Sequence, residues 1–146
     1  MREILFRGKR IDNGEWVEGA YCKHDTVKVC LATDDPKTKH LILQDGFCDW
    51  GFEPPLCAHE VDPNTVGQYT GLTDKNGKKI FEGDIAREVW GERVFPTRLV
   101  VAMDPKRGGW FPFARGDGCG CCEQDVWDKE HTEIIGNIHD NSELLK

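Results

Sequence analysis

The chain reverses direction too often for helices of ordinary length. Short β-favouring runs alternate with turn signals about every eight to twelve residues, the spacing of a small all-β fold. Ile4-Leu5-Phe6 opens the first run and Gly8 is expected to close it. Asp12-Asn13-Gly14 is a turn with a mechanism, because Asn and Gly tolerate the positive φ that primed turns require. Trp16, Glu18, Ala20 and Cys22 then alternate with Val17, Gly19 and Tyr21, the two-residue period of a half-buried strand. Residues 26–31 and 41–43 read as further strands. Residues 45–58 have no period and read as a loop that carries Phe47, Trp50 and Phe52 onto the core or onto a partner.

The second half is punctuated more sharply. Residues 66–70 form a short strand, and Asp74-Lys75-Asn76-Gly77 turns it into Ile80-Phe81. Gly83-Asp84 leads into a strand over 85–90, and Gly91-Glu92 links that run to residues 98–103. Pro96 is read as preceding this last segment, so that its missing donor interrupts no central ladder. Gly108-Gly109 turns into residues 110–113, where Pro112 marks an edge, and residues 133–138 supply the last strand. Residues 123–131 could form about two helical turns with Val126 and Trp127 inward and acids in the first turn. Residues 141–145 read as a capped terminal turn. The pattern predicts a mainly β chain with little helix, folded as a small sandwich or barrel.

A length of 146 residues suits one compact domain or two very small ones. No apolar run approaches the ~18 residues of a membrane span. MREILFRGKR has no apolar stretch before its charges, so no secretory signal is expected. Aromatic content of 10% and the spread of apolar residues argue against a disordered chain. Net charge is −7, and residues 117–146 carry −6 of it. Such an end repels phosphate backbones, which disfavours broad nucleic-acid binding. Its plain reading is a solvated face; its sharper one is a surface for a basic partner or a mimic of DNA. Seven cysteines, an odd number without a secretory signal, indicate reduced thiols in a cytoplasmic protein.

Three stretches carry a family likeness. They are residues 2–10 with Gly14-Glu15-Trp16-Val17-Glu18-Gly19, residues 66–85 (VGQYTGLTDKNGKKIFEGDI), and residues 135–145 (IGNIHDNSELL). Together they resemble the YopX family of phage and prophage proteins. The resemblance implies a mainly β fold containing an SH3-like barrel, and a phage or prophage origin. It implies one unit over 1–146, with a subdivision into an N-terminal β-rich region at 1–62 and the barrel at 63–146. It brings no established activity and therefore no catalytic residues. Ser142 stands where the family pattern often has Pro, and Ala86 where it often has Val. Within the middle stretch, Gly71, Gly77 and Gly83 are each expected where a strand reverses, with Tyr69, Leu72, Ile80, Phe81 and Ile85 as apolar lining. Lys78, Lys79, Glu82 and Asp84 are expected to make a mixed-sign surface, with Asp84 accepting backbone hydrogen bonds in its turn.

Chemistry-bearing constellations are few. Cys119-Gly120-Cys121-Cys122 contains one Cys-x-x-Cys pair, half of a structural zinc signature. Cys57-Ala58-His59 is the nearest second half, with His131 in reserve. A redox role is opposed by Asp117, Glu123 and Asp125, because neighbouring negative charge raises a thiol pKa. His139-Asp140-Asn141 reads as a turn in preference to a catalytic pair, since no nucleophile motif accompanies it. No phosphate-binding glycine loop is present in the sequence.

The five tryptophans (Trp16, Trp50, Trp90, Trp110 and Trp127) and seven phenylalanines exceed what a small barrel holds easily. Either some lie at a protein–protein surface, where Trp and Phe are enriched, or they plug the barrel ends and seal the 45–58 loop. The expectation is a non-enzymatic module, with no cofactor, metal or catalytic residue assigned, that binds a protein partner or self-associates. Two rivals stand beside it. A nucleic-acid module would show a basic face made of Arg2, Arg7, Lys9 and Arg10, or of Lys75, Lys78 and Lys79. A zinc-stapled domain or metal-dependent enzyme would use Cys119 and Cys122 with Cys57 and His59.

Overall fold

The computed structural model describes residues 3–26, 37–46, 55–106, 108–113 and 127–146. These contain β1 (Phe6–Lys9), β2 (Trp16–Thr26), β3 (Lys37–Asp45), β4 (Leu56–Glu60), β5 (Gly67–Thr73) and β6 (Lys79–Phe81). They continue with β7 (Asp84–Trp90), β8 (Arg93–Val100), β9 (Ala102–Asp104), β10 (Gly109–Phe111) and β11 (Thr132–Asn137). Helical geometry among the described residues is confined to 3-10 turns at Pro63–Thr65, Lys129–His131 and Ser142–Leu145. The protein is mainly β, its strands paired antiparallel. The chain divides into two compact units, Glu3–Gln68 and Tyr69–Lys146.

In the first unit β4, β3, β2 and β1 pair in that order, and the start of β5 pairs with β1 through Phe6↔Gln68 and Arg7↔Gly67. The far end of β1 bridges at Arg10↔Val61, held by bonds from Ile11 N–H to the Glu60 carbonyl and from Asp62 N–H to the Lys9 carbonyl. Val17, Ile42 and Val61 form the core, with Phe6, Tyr21 and Val66 packed against it. Small residues let the backbones close over these few side chains. A Cβ on Gly19 would lie 2.1 Å from the Leu43 carbonyl oxygen, so only glycine fits. Gly8 does not end the first run: it is buried inside β1, where a Cβ would come within 3.0 Å of Val61 Cγ2.

The second unit is built around the sheet β11-β7-β8, the β9–β10 hairpin, and the pairing of β5 with β6 at Tyr69↔Phe81 and Thr73↔Lys79. Ile80, Ala86, Val101, Trp110, Trp127 and Ile134 make its core, joined by Leu72, Leu99 and Phe113. The turn at 74–77 and the turn into β7 form as expected, with φ near +80° at both Gly77 and Gly83. Gly71 reverses nothing. It sits inside β5 at φ +84°, where the register with β6 shifts.

Pro96 also departs from expectation, since it lies within β8. The structure accommodates it because β8 is at the edge of its sheet and the register with β7 slips between Arg87 and Val89. The run 98–103 is divided at the buried Val101, whose N–H donates to the Asp84 carbonyl while Gly83 N–H donates to its own carbonyl, both at 2.8 Å. Part of the aperiodic stretch 45–58 is strand, because β4 begins at Leu56; Phe47, Trp50 and Phe52 lie outside the described residues, as do 27–31. Of the helix expected over 123–131, residues 123–126 lie outside the described set and Lys129–His131 is a 3-10 turn, its start capped by Asp128 Oδ1 accepting from Glu130 N–H. Trp127 is buried as expected. The terminal turn lacks its side-chain cap: Asn141 Oδ1 accepts instead from Asn137 N–H at 3.4 Å. Among the described residues, no helix is long and apolar enough to cross a membrane.

Candidate functional site

Buried carboxylates are natural first candidates for chemistry. Both prominent ones hold turns. Asp84, 1% exposed, accepts from Phe81 N–H through Oδ2 at 2.8 Å. The sequence anticipated this bond but placed Asp84 on a surface, which its burial corrects. Asp74 Oδ1 accepts from the N–H groups of Asn76 and Lys78 at 2.8 and 2.9 Å, and Oδ2 accepts from Ile134 N–H at 3.1 Å. One carboxylate thus closes the 74–77 turn and ties it to β11. A shallow polar groove of about 260 Å³ beside it is lined by Thr73, Asp74, Lys75, Lys129 and Glu130.

The metal reading gains little from the described residues. Cys57 and His59 lie two apart on β4 and so share one face of it. The Cys57 thiol is 3.9 Å from the Pro55 carbonyl. Cys119, Cys121 and Cys122 lie outside the described residues, and no group of three or more His, Cys, Asp or Glu side chains suited to a metal occurs among the described ones. His139-Asp140-Asn141 forms a turn in which the N–H groups of His139 and Asp140 both donate to Asn137 Oδ1 at 2.9 Å.

Part of each basic cluster is engaged within the protein. The Arg7 guanidinium lies over the Trp16 ring at 4.7 Å, and Arg10 pairs with Asp12 and Glu15. The Arg10–Asp12 hydrogen bond holds the Asp12 carboxyl below its ordinary range and raises Arg10. Lys79 stands over the Tyr69 ring at 5.8 Å; Lys75 and Lys78 are exposed; Arg2 lies outside the described residues.

The aromatic residues sort into distinct environments. Trp110 and Trp127 are core, Trp16 is half-buried beneath Arg7, and Trp50 lies outside the described residues. Trp90 is different. It ends β7 at the hairpin turn and is 50% exposed. Its indole stacks on the His131 ring with centroids 3.7 Å apart and planes 9° from parallel. Its Nε1 donates to Glu88 Oε1 at 2.8 Å. Period two on β7 puts Glu88 and Trp90 on the same face, while the 3-10 turn that runs into β11, whose Thr132 pairs with Glu88, brings His131 alongside. Asp128 Oδ2 lies 3.6 Å from His131 Nδ1, too far for a hydrogen bond. Across the hairpin, Val94 is 51% exposed, and Arg93, the register partner of Trp90, lays its guanidinium over Phe95 at 4.8 Å.

The result is a flat apolar plate, covered on one face, pinned at its only polar atom and open on the other. Such a plate can hold a partner group by stacking and dispersion without losing rotamer freedom on contact. The sequence named Trp90 without separating it from the other tryptophans, and considered His131 as a reserve metal ligand. The spacing Glu88-x-Trp90 on a strand was the local signal; the stack with a residue 41 positions later was not readable locally.

A sequence model of the family described as YopX protein matches residues 5–146. Among solved structures, the chain is similar to protein EF1440 from Enterococcus faecalis, with 22% identity, the whole of both chains covered, and a TM-score of 0.49. No curated protein matches the chain.

Proposed function

The chain belongs to the YopX family, and from that premise we propose that it is a phage- or prophage-derived cytoplasmic accessory module that works by protein contact, without catalysis. The family resemblance carries an SH3-like barrel as the fold of residues 63–146, and the short antiparallel strands and 3-10 turns of that stretch support it. One observation carries the functional reading: a half-exposed tryptophan held rigid by His131 and Glu88 on an open hairpin end. Exposed, preorganised Trp is the residue type most enriched among interface anchors. The adjoining exposed Val94 extends the apolar contact.

Self-association is the form of this reading that needs no other component. Light scattering on the purified chain, across a hundredfold range of concentration, is expected to give a mass rising above the 16.6 kDa of one chain. A constant 16.6 kDa, together with salt-sensitive binding of an oligonucleotide, would replace the reading with nucleic-acid binding.

A further inference from the structure

Trp90 differs from other aromatic rings of this chain in what stands over it. Arg7 covers Trp16, Lys79 covers Tyr69 and Arg93 covers Phe95. In each case a cation of the protein itself meets the negative face of a ring. Tryptophan is the strongest acceptor of such a contact. Yet among the described residues no cation lies over Trp90, and its nearest cross-strand cation, Arg93, is engaged with Phe95.

The surroundings favour a cation from outside. Glu88 accepts from the Trp90 indole N–H, which places a carboxylate at the edge of the plate and makes the ring more electron-rich. Asp128 approaches the stacked His131, Glu130 adjoins it in the same exposed turn, and Glu92 sits in the hairpin turn two residues beyond Trp90. Against these stand Arg93 and Lys129, so the local balance is negative.

We propose that the open face of Trp90 is a docking site for an arginine side chain from a basic segment of a protein partner. The guanidinium stacks flat on the indole, and Glu88 with the neighbouring acids supplies the matching charge. Arginine fits better than lysine because a planar, weakly hydrated group keeps contact over the whole ring. This rests on the protein-contact reading above and names the chemistry of the partner.

The experiment uses the intact 15N-labelled chain and follows the indole N–H resonance of Trp90, assigned by its disappearance in Trp90→Phe. The probe is an acetylated, amidated Gly-Arg-Gly-Arg-Gly peptide, with its citrulline counterpart as a neutral isostere. The resonance is expected to shift saturably with the arginine peptide, and roughly fivefold more weakly with the citrulline peptide. Glu88→Gln, which leaves the plate and its stack in place, is expected to weaken arginine binding about threefold. Equal response to both peptides, no shift with either, or a stronger response to a thymidine hexanucleotide would overturn the proposal. If Trp90→Ser lowers self-association while the arginine peptide gives no shift, the arginine assignment fails and the contact reading stands. If neither measurement responds to Trp90, both fail.

Discussion

The two units reach a buried core by opposite means. Glu3–Gln68 has few core side chains, Val17, Ile42 and Val61, and brings its backbones together at Gly8 and Gly19. Tyr69–Lys146 has a larger core that includes two tryptophans, and fixes its turns with the buried carboxylates of Asp74 and Asp84. The first unit is therefore sensitive to added volume, and the second to loss of charge-assisted hydrogen bonds. The second unit also has the side chains to spare for a surface plate. Trp110 and Trp127 fill its interior, while Trp90 is left at a hairpin end and immobilised there.

Removing a turn-holding carboxylate should have the largest effect. Asp74→Ala leaves the N–H groups of Asn76, Lys78 and Ile134 without their acceptor, and should cost about 4 kcal/mol in urea unfolding. A cost below about 1 kcal/mol would mean that water replaces the carboxylate freely and the contrast between the units is false. Next comes Gly19→Ala, expected to cost about 3 kcal/mol because its Cβ meets backbone rather than a movable side chain. Amide exchange should accelerate first in β2 and β3 for that variant, and first in β7 and β11 for Asp74→Ala. The same pattern in both variants would erase the distinction.

Smaller effects sharpen the comparison. Gly77→Ala meets no atom within 4 Å, so its cost is backbone strain alone at φ +80°, about 1 kcal/mol. The smallest effect belongs to the exposed Arg10–Asp12 pair. Because the folded Asp12 pKa is depressed, its contribution is present above the unfolded pKa and is lost as pH falls through the folded one. Carboxyl NMR titration should place Asp12 below the ordinary aspartate range, and Arg10→Gln should return it there. An unchanged Asp12 midpoint in that variant would remove the pair from the account.

The sequence was most legible where one turn residue decides one turn. Gly14, Gly77 and Gly83 have positive φ, and Asp84 accepts the backbone bond its position suggested. It was least legible where the partner is distant. Gly8 looked like punctuation because Val61, which packs against it, lies 53 residues away. Pro96 looked excluded from a strand because neither the edge position of β8 nor its register slip can be seen locally. The site follows the same rule: Glu88 and Trp90 share a face by period alone, but Thr132↔Glu88 pairing decides that His131 covers the indole.

Two exposed residues, one in each unit, allow the central claim to be tested directly. Leu56 in the first unit is 68% exposed, more than Trp90, but no stack or hydrogen bond fixes its side chain. Light scattering at matched concentration should compare the unmodified chain with Trp90→Ser and Leu56→Ser. If a rigid plate makes the contact, Trp90→Ser should fall to the 16.6 kDa of one chain while Leu56→Ser keeps the higher mass. Equal reduction by both substitutions, or by Leu56→Ser alone, would contradict the claim that Trp90 is where this protein meets its partner.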